Sequence, residues 1–283
     1  MKKLFIALSL VLSSLFLLTG CGGGDKPVSD AGKIKLGMIT RLNASEENFG
    51  EFMQKVEETL DVKISSHKPV FFDTLNAMQM ALQSKQIDEI STYRSVARYM
   101  LAKDSRFTVL KDHSLEFIDS FCFALRDDET ELRDSLNAVI KEMQVDGTLD
   151  RLTKEYITDI KAETEPPTVE LPHFDSADTI KVAVTGDLPP LDFVSADGKP
   201  AGFNTAVLAE IGNRMLKNIE LVQIDSGARA AVLTSKQVDV VFWAIVPVSE
   251  IIPSDSDQPA GVILTDPYYK DKIVHVIFQE EKK

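Results

Sequence analysis

The sequence predicts an α/β protein behind an N-terminal export segment. Three observations point there. The chain opens with charged, then apolar, then small residues; from Lys33 onward short apolar runs alternate with stretches of helical period; and a Leu-x-Ser-Lys-Gln-x-Asp segment occurs twice within that alternation, starting at Leu82 and at Leu233. The 283 residues are 44% hydrophobic and 27% charged, with 14 Gly and 12 Pro, a balance that excludes collagen-like and disordered chains. With 31 basic against 44 acidic side chains the net charge is −13, which argues against nucleic acid as a partner.

The opening reads Met1-Lys2-Lys3, then an uncharged run from Leu4 to Leu18, then Leu18-Thr19-Gly20-Cys21. The apolar run is shorter than the ~20 residues a membrane-spanning helix needs. Its end resembles the lipobox of a bacterial lipoprotein signal. That resemblance implies cleavage before Cys21, acylation of Cys21, and an extracytoplasmic protein held to a membrane by its acyl chains. Residues 1–20 are then the signal, and residues 21–32, beginning Cys21-Gly22-Gly23-Gly24-Asp25, a flexible tether. Cys122 is left without a disulfide partner and, lying in an apolar run, is expected to be buried and inert.

Residues 34–39 read as the first strand. Phe49, Phe52, Val56 and Leu60 recur at helical spacing over 45–60, and 62–71 reads as the second strand. Asp73 caps a helix with Leu75, Met78 and Leu82 on one face, and 87–92 is the third strand. This β-α-β-α-β order is that of a parallel sheet. Residues 117–125 form a further strand; Leu132, Leu136, Ile140 and Met143 stripe a helix ending near Gly147, before a short helix to Ile157. Three prolines between 161 and 178, with no helical period, mark a linker. The pattern then resumes with a strand at 180–184, a helix from Asn204 carrying Val207, Leu208, Ile211 and Met215, a strand at 219–224, another helix, a strand at 238–245 and a closing strand at 273–278.

Four landmarks carry a resemblance to one family. Pro189-Pro190-Leu191-Asp192-Phe193 followed by Asp197-Gly198-Lys199-Pro200-Ala201-Gly202-Phe203-Asn204 is the first, and Thr265-Asp266-Pro267-Tyr268-Tyr269 the second. Asp146-Gly147-Thr148-Leu149 and the repeated Leu-x-Ser-Lys-Gln-x-Asp are the others. All are similar to stretches of bacterial extracellular solute-binding proteins, family 3, of the amino-acid ABC-transporter type. The resemblance implies a two-lobed, periplasmic-binding-protein-like (type II) α/β fold. The order is rotated, because the Asp-Gly-Thr-Leu that closes the family's chain here precedes the Pro-Pro segment that opens it. A circular permutation is the reading adopted: 33–115 a second-type lobe, 116–160 a hinge strand with the C-terminal-type helices, 161–178 the joining linker, and 179–283 a first-type lobe. One covalent hinge strand, near 117–125, is expected in place of the family's two. Two truncated copies of the family's chain are the rival account.

In such folds the ligand lies in the cleft at the carboxyl ends of the strands. That singles out Arg41, Asn43, Ser45, Asp73, Thr74, Tyr93 and Arg94 from one lobe and Asp187, Asp192, Phe193 and Trp243 from the other. Arg41 offers a guanidinium to an anion, Asn43 and Ser45 stand at a helix start that favours anions, and Trp243 offers a ring for stacking. Arg41 and Arg94 as solvated surface arginines, and Trp243 as core, are the plain alternatives. The family's carboxylate-gripping Arg has no counterpart in Trp243-Ala244-Ile245-Val246-Pro247-Val248-Ser249-Glu250, and Tyr93 stands where its ammonium-binding Asp is usual. The usual α-amino-acid grip is therefore not expected.

His67, His113, His173 and His275 are scattered, and Asp255-Ser256-Asp257 lacks a regular cation-ligand spacing and reads as a solvated turn, so no metal and no cofactor is expected. No catalytic array can be assigned, which argues against an enzyme. The resemblance implies a monomeric, lipid-anchored solute-binding protein that hands a small polar solute to an ABC permease. The alternative is a ligand-free binding or sensor module engaging a membrane or envelope protein. An apolar plug in the cleft would favour the alternative; a polar cavity with Arg41 and Asp187 would favour transport.

Overall fold

The computed structural model describes residues 32–43, 50, 54, 57–58, 67–110, 117–160, 164–248 and 254–280. Two units make up the chain, Met1–Gly32 and Lys33–Lys283, and the elements below belong to the second. Cys21, Ser45 and most of the helix expected over 45–60 lie outside the described residues.

The N-terminal half-sheet is built from β1 (Ile34–Ile39), β2 (His67–Phe72) and β3 (Glu89–Tyr93), with β1 parallel to both others. Helix α1 (Leu75–Gln83) buries Leu75, Met78, Ala81 and Leu82, the stripe its period predicts. Its cap is one residue later than expected: Thr74, not Asp73, accepts the hydrogen bond from the Ala77 N–H, at 3.1 Å. Helix α2 (Arg94–Lys103) starts directly from β3, and the short β4 (Phe107–Val109) follows. Neither was foreseen, because no turn residue separates strand from helix at Tyr93-Arg94.

Strand β5 (Ile118–Arg126) is buried from Asp119 onward. Helices α3 (Thr130–Val145) and α4 (Thr148–Thr153) follow it, and Leu136, Ile140, Met143, Leu149 and Leu152 join the main core. The second half-sheet has β6 (Thr179–Val184) between the parallel β10 (Asn218–Gln223) and β11 (Val240–Pro247). Helix α5 (Phe203–Met215) packs Val207, Leu208 and Ile211 beneath it, and α6 (Arg229–Thr234) precedes β11. A separate three-stranded sheet, β7 (Asp187–Leu188), β8 (Asp192–Val194) and β9 (Pro200–Ala201), holds the segment after β6.

The repeated segment does the same physical work twice. Lys85 and Lys236 both take left-handed backbone angles, φ 61° and 59°, turning the chain out of α1 and α6. The Asp that follows pairs with the first strand of its own half. Asp88 accepts from the Lys35 N–H at 2.7 Å, and Asp239 accepts from the Lys181 N–H at 2.9 Å. In each case the aspartate's own N–H also donates to that lysine's carbonyl, at 2.9 Å.

All main strands join one sheet in the order β10-β6-β11-β5-β13-β3-β1-β2, where β13 (Tyr269–Phe278) is the last strand in the chain. β12 (Val262–Leu264) pairs with β5 and β4 with β13. The single crossing strand expected from the sequence is corrected to two. Besides the chain's passage into β5, β13 crosses as well, with Tyr269–Lys272 paired to β5 and Ile273–Val276 paired to β3. Four polar-patterned residues ahead of the expected start at Ile273 lengthen this strand enough to bridge both halves.

Candidate functional site

Where the half-sheets meet, the ends of β1 and β3 and the middle of β11 surround a cavity lined by Met38, Arg41, Ser91, Tyr93, Leu188 and Trp243 among others. Its volume is about 20 Å³, room for one water molecule.

Trp243 enters because β11 is irregular. Pairing with β5 shifts register between Val241 and Ala244, and Trp243 inside that bulge has φ 61°. Its indole Nε1–H donates to the Tyr93 hydroxyl at 3.3 Å, and that hydroxyl donates to Asp119 Oδ2 at 3.0 Å. Arg41 Nη2 reaches the same carboxylate oxygen at 3.4 Å. The Arg41 side chain keeps 24% of its surface exposed, while Asp119 keeps 3%. Burial alone would lower the Arg41 pKa, but Asp119, Tyr93 and Asp257 outweigh it and hold the guanidinium above its ordinary value. Burial, and then the Asp119 charge, push the Tyr93 phenol well up. The phenol is therefore a neutral hydrogen-bond donor at any physiological pH.

Arg229 is the largest fully buried side chain described. Its guanidinium donates to three backbone carbonyls, Ser226 at 3.1 Å, Trp243 at 2.6 Å and Thr40 at 2.6 Å, and lies 4.5 Å from the Trp243 ring centroid. Burial brings its pKa down to about 10. Asp257 accepts from the Asn43 N–H at 3.0 Å and the Ile245 N–H at 3.3 Å, and burial raises its pKa. The solvated turn expected at 255–257 is thus corrected: Asp255 is exposed, but Asp257 folds inward to hold two backbone amides.

Two further carboxylates tie the halves together. Asp187 accepts from the Leu75 N–H at 2.7 Å, at the start of α1. Asp73 accepts from the Gly227 N–H and from the Thr40 hydroxyl, each at 3.1 Å. Each acid caps the amide end of a helical segment on the opposite half, the placement the helix dipole favours.

The sequence-derived candidates separate into three groups. Arg41, Tyr93 and Trp243 line the cavity. Asp73, Asp187 and the Asn43 amide bridge the halves around it. Thr74, Arg94, Asp192 and Phe193 lie elsewhere. Thr74 caps α1, and Arg94 is exposed at the start of α2. Asp192 is spent on the Thr185 and Gly186 amides at 2.8 and 2.6 Å, where burial lifts its pKa to about 6, and Phe193 pairs with Asp187 and Ala201 in the small sheet. Missed in the sequence were Arg229, Asp119 and Asp257. A signal existed for two of them: Asp119 interrupts an apolar strand, and Arg229 is the one charge in the Ala-rich α6.

The histidines are not all scattered. His67 and His275 come together edge to face, ring centroids 5.9 Å apart, beside Glu89. They come from β2 and β13, strands with β1 and β3 between them in the sheet, and the sequence separation hides it. His173 is exposed and far from the pair in sequence. Cys122 is buried, and burial, with Asp266 adding to it, pushes its thiol up to about 12, so it is unreactive. No helix among the described residues is long and apolar enough to cross a membrane.

Residues 180–280 match the family model of bacterial extracellular solute-binding proteins, family 3. They amount to just over a third of the chain and hold the Pro-Pro-Leu-Asp-Phe and Asp-Pro-Tyr-Tyr landmarks. No curated protein matches the chain in sequence. Among solved structures the chain is similar to the ligand-binding component of an ABC-type import system from Staphylococcus aureus with zinc bound, at 12% identity and TM-score 0.39, covering 87% of this chain and 65% of that one. The GluR0 ligand-binding core with L-glutamate is 12% identical, TM-score 0.41, over 88% of this chain and 86% of that one. The aliphatic sulphonate binding protein SsuA from Escherichia coli is 12% identical, TM-score 0.38, over 87% and 61%. The chain thus spans less than two thirds of the S. aureus and E. coli proteins. The α/β class and the two half-sheets flanking a seam are the architecture that the sequence resemblance implies.

Proposed function

We propose that this chain is an extracytoplasmic solute-binding protein, lipid-anchored at Cys21, that captures a small polar solute bearing an anionic group and delivers it to an ABC permease. One observation carries the reading: Arg41, Tyr93 and Trp243, drawn from both half-sheets, converge on one cavity at the seam. Arg41 is the partly exposed cation for the anionic group, Tyr93 the neutral donor and Trp243 the apolar wall. The family match over 180–280 supports the solute-binding role. The rotated order of the family-like segments supports a circular permutation. Because the cavity holds only a water molecule, solute entry requires the halves to part.

Thermal shift of the chain against amino acids, small carboxylates and sulfonates tests this. A raised melting temperature with at least one of them, abolished by Arg41→Ala, is expected. No shift from any, together with unchanged Trp243 fluorescence, would overturn it.

A second reading, a ligand-free module that engages an envelope protein, is favoured by the bonds already spanning the seam from Asp73, Asp187 and Arg229. A variant with those carboxylates removed that still binds no solute would support it.

A further inference from the structure

We propose that His67, Glu89 and His275 form a binding site for one divalent transition-metal ion of the zinc class. The strand registers place them on one face of the sheet. His67 on β2 lies opposite Ile34, Glu89 on β3 lies opposite Leu36, and Ile34 and Leu36 alternate onto the same face of β1. His275 on β13 lies opposite Ser91, two residues beyond Glu89 and so on that same face. Three ligands from three strands of one sheet therefore share one surface, held by the backbone ladder rather than by a loop.

The side-chain geometry agrees. One donor atom from each residue lies within 4.8 Å of the others. Glu89 Oε2 is 2.8 Å from His275 Nδ1 and 3.8 Å from His67 Nε2. On a tetrahedral ion with bonds of about 2.0–2.2 Å, ligand atoms stand roughly 3.3 Å apart. The observed separations bracket that value, so rotations about side-chain bonds suffice and no strand need move. The three side chains are 18%, 12% and 18% exposed, shielded yet open to an entering ion.

The donor set selects the ion. Two imidazole nitrogens and one carboxylate oxygen suit zinc and its neighbours, whereas calcium and magnesium take oxygen ligands throughout. Three protein ligands leave a fourth position for water. The chain's net charge of −13 favours cation approach in general. This site is separate from the solute reading: its residues do not line the seam cavity, and it stands or falls without it.

The test is titration of the untagged full chain with zinc chloride, followed by calorimetry, with cobalt chloride as a spectroscopic probe. One equivalent should bind, with a tetrahedral cobalt spectrum. His67→Ala, His275→Ala and the near-isosteric Glu89→Gln should each lower affinity at least ~10-fold, the loss that even an outer-shell partner can cause. His173→Ala, at an exposed position away from the three ligands, should leave it unchanged. Should an alanine variant fail to fold, Glu89→Gln and the wild-type cobalt spectrum still decide. No saturable binding by wild type, affinity unchanged in Glu89→Gln, or an octahedral all-oxygen cobalt spectrum would overturn the proposal and leave a hydrogen-bonded His–Glu–His cluster.

Discussion

The Gly227 N–H donates to the Asp73 carboxylate at 3.1 Å, and a Cβ placed on Gly227 would stand 2.7 Å from that same oxygen. A side chain at this position would displace the Asp73 carboxylate from its place across the seam. Gly227→Ala should push Asp73 away and destabilise the chain by about 1 kcal/mol, with Asp73→Ala costing a similar amount. The double variant should cost no more than the larger single one, because both remove one interaction. Urea denaturation of the four proteins measures the coupling; strictly additive losses would show that the two residues act independently.

Parting the seam should be visible in fluorescence. Trp243 is the chain's one tryptophan and is buried against Tyr93 and Arg229. Removing both cross-seam caps, in Asp73→Ala with Asp187→Ala, should red-shift its emission and raise its quenching by acrylamide while far-ultraviolet dichroism stays native. An unshifted spectrum would mean that the remaining bonds across the seam, from Arg229, Asp257, Tyr93 and Asp119, keep the halves together without the two caps.

Arg229 should be the most sensitive position of the site. Arg229→Met keeps the length but strips the donors from the carbonyls of Thr40, Ser226 and Trp243. Buried acceptors left unpaired cost about 1–3 kcal/mol each, so a loss of at least ~3 kcal/mol in chemical denaturation is expected. Arg229→Lys should recover less than half of it, since one ammonium cannot reproduce the planar fork. Full recovery by lysine would mean that charge, not geometry, is what the position requires.

Much of this arrangement was legible in the residues, and what was not has physical causes. The stripes of α1, α3 and α5 and the apolar runs of β1, β5 and β11 are local periodicities, so they read directly. The repeated Leu-x-Ser-Lys-Gln-x-Asp marked two equivalent places, and Asp88 and Asp239 do bond equivalently to Lys35 and Lys181. Strands of two or three residues, such as β7 and β9, are too short to show a period. The crossing of β13 from β5 to β3 is a matter of pairing, which no local pattern records. Tyr93 and Trp243 were singled out because they fall near the carboxyl ends of expected strands, and both line the seam cavity. Arg229 was not, because ligand-facing residues of such folds are expected in the loops after strands, and this arginine reaches the seam from a helix before one.

Acid should act on the fold through two groups of opposite sign. Burial holds Asp192 at about 6, above its ordinary 3.8, so the native state binds that proton more tightly than the unfolded chain does. Its contribution is most favourable at low pH and is lost as pH rises from about 4 through 6, by up to ~3 kcal/mol. Asp187, Asp257 and Asp271 are raised by burial too and add slope of the same sign. Glu89 runs the other way: the hydrogen bond with His275 at 2.8 Å, and then the His67 ring at 3.8 Å, hold it at about 2, below its ordinary 4.5. Its stabilisation is complete above about 4.5 and is lost as pH falls toward 2. Urea midpoints from pH 2 to 7 should therefore pass through a maximum between these windows. Asp192→Asn should flatten the upper limb while keeping an acceptor for the Thr185 and Gly186 amides, and Glu89→Gln should flatten the lower. A wild-type midpoint that climbs steadily from pH 4 to 6 would show that the buried Asp192 ionises without cost to the native state.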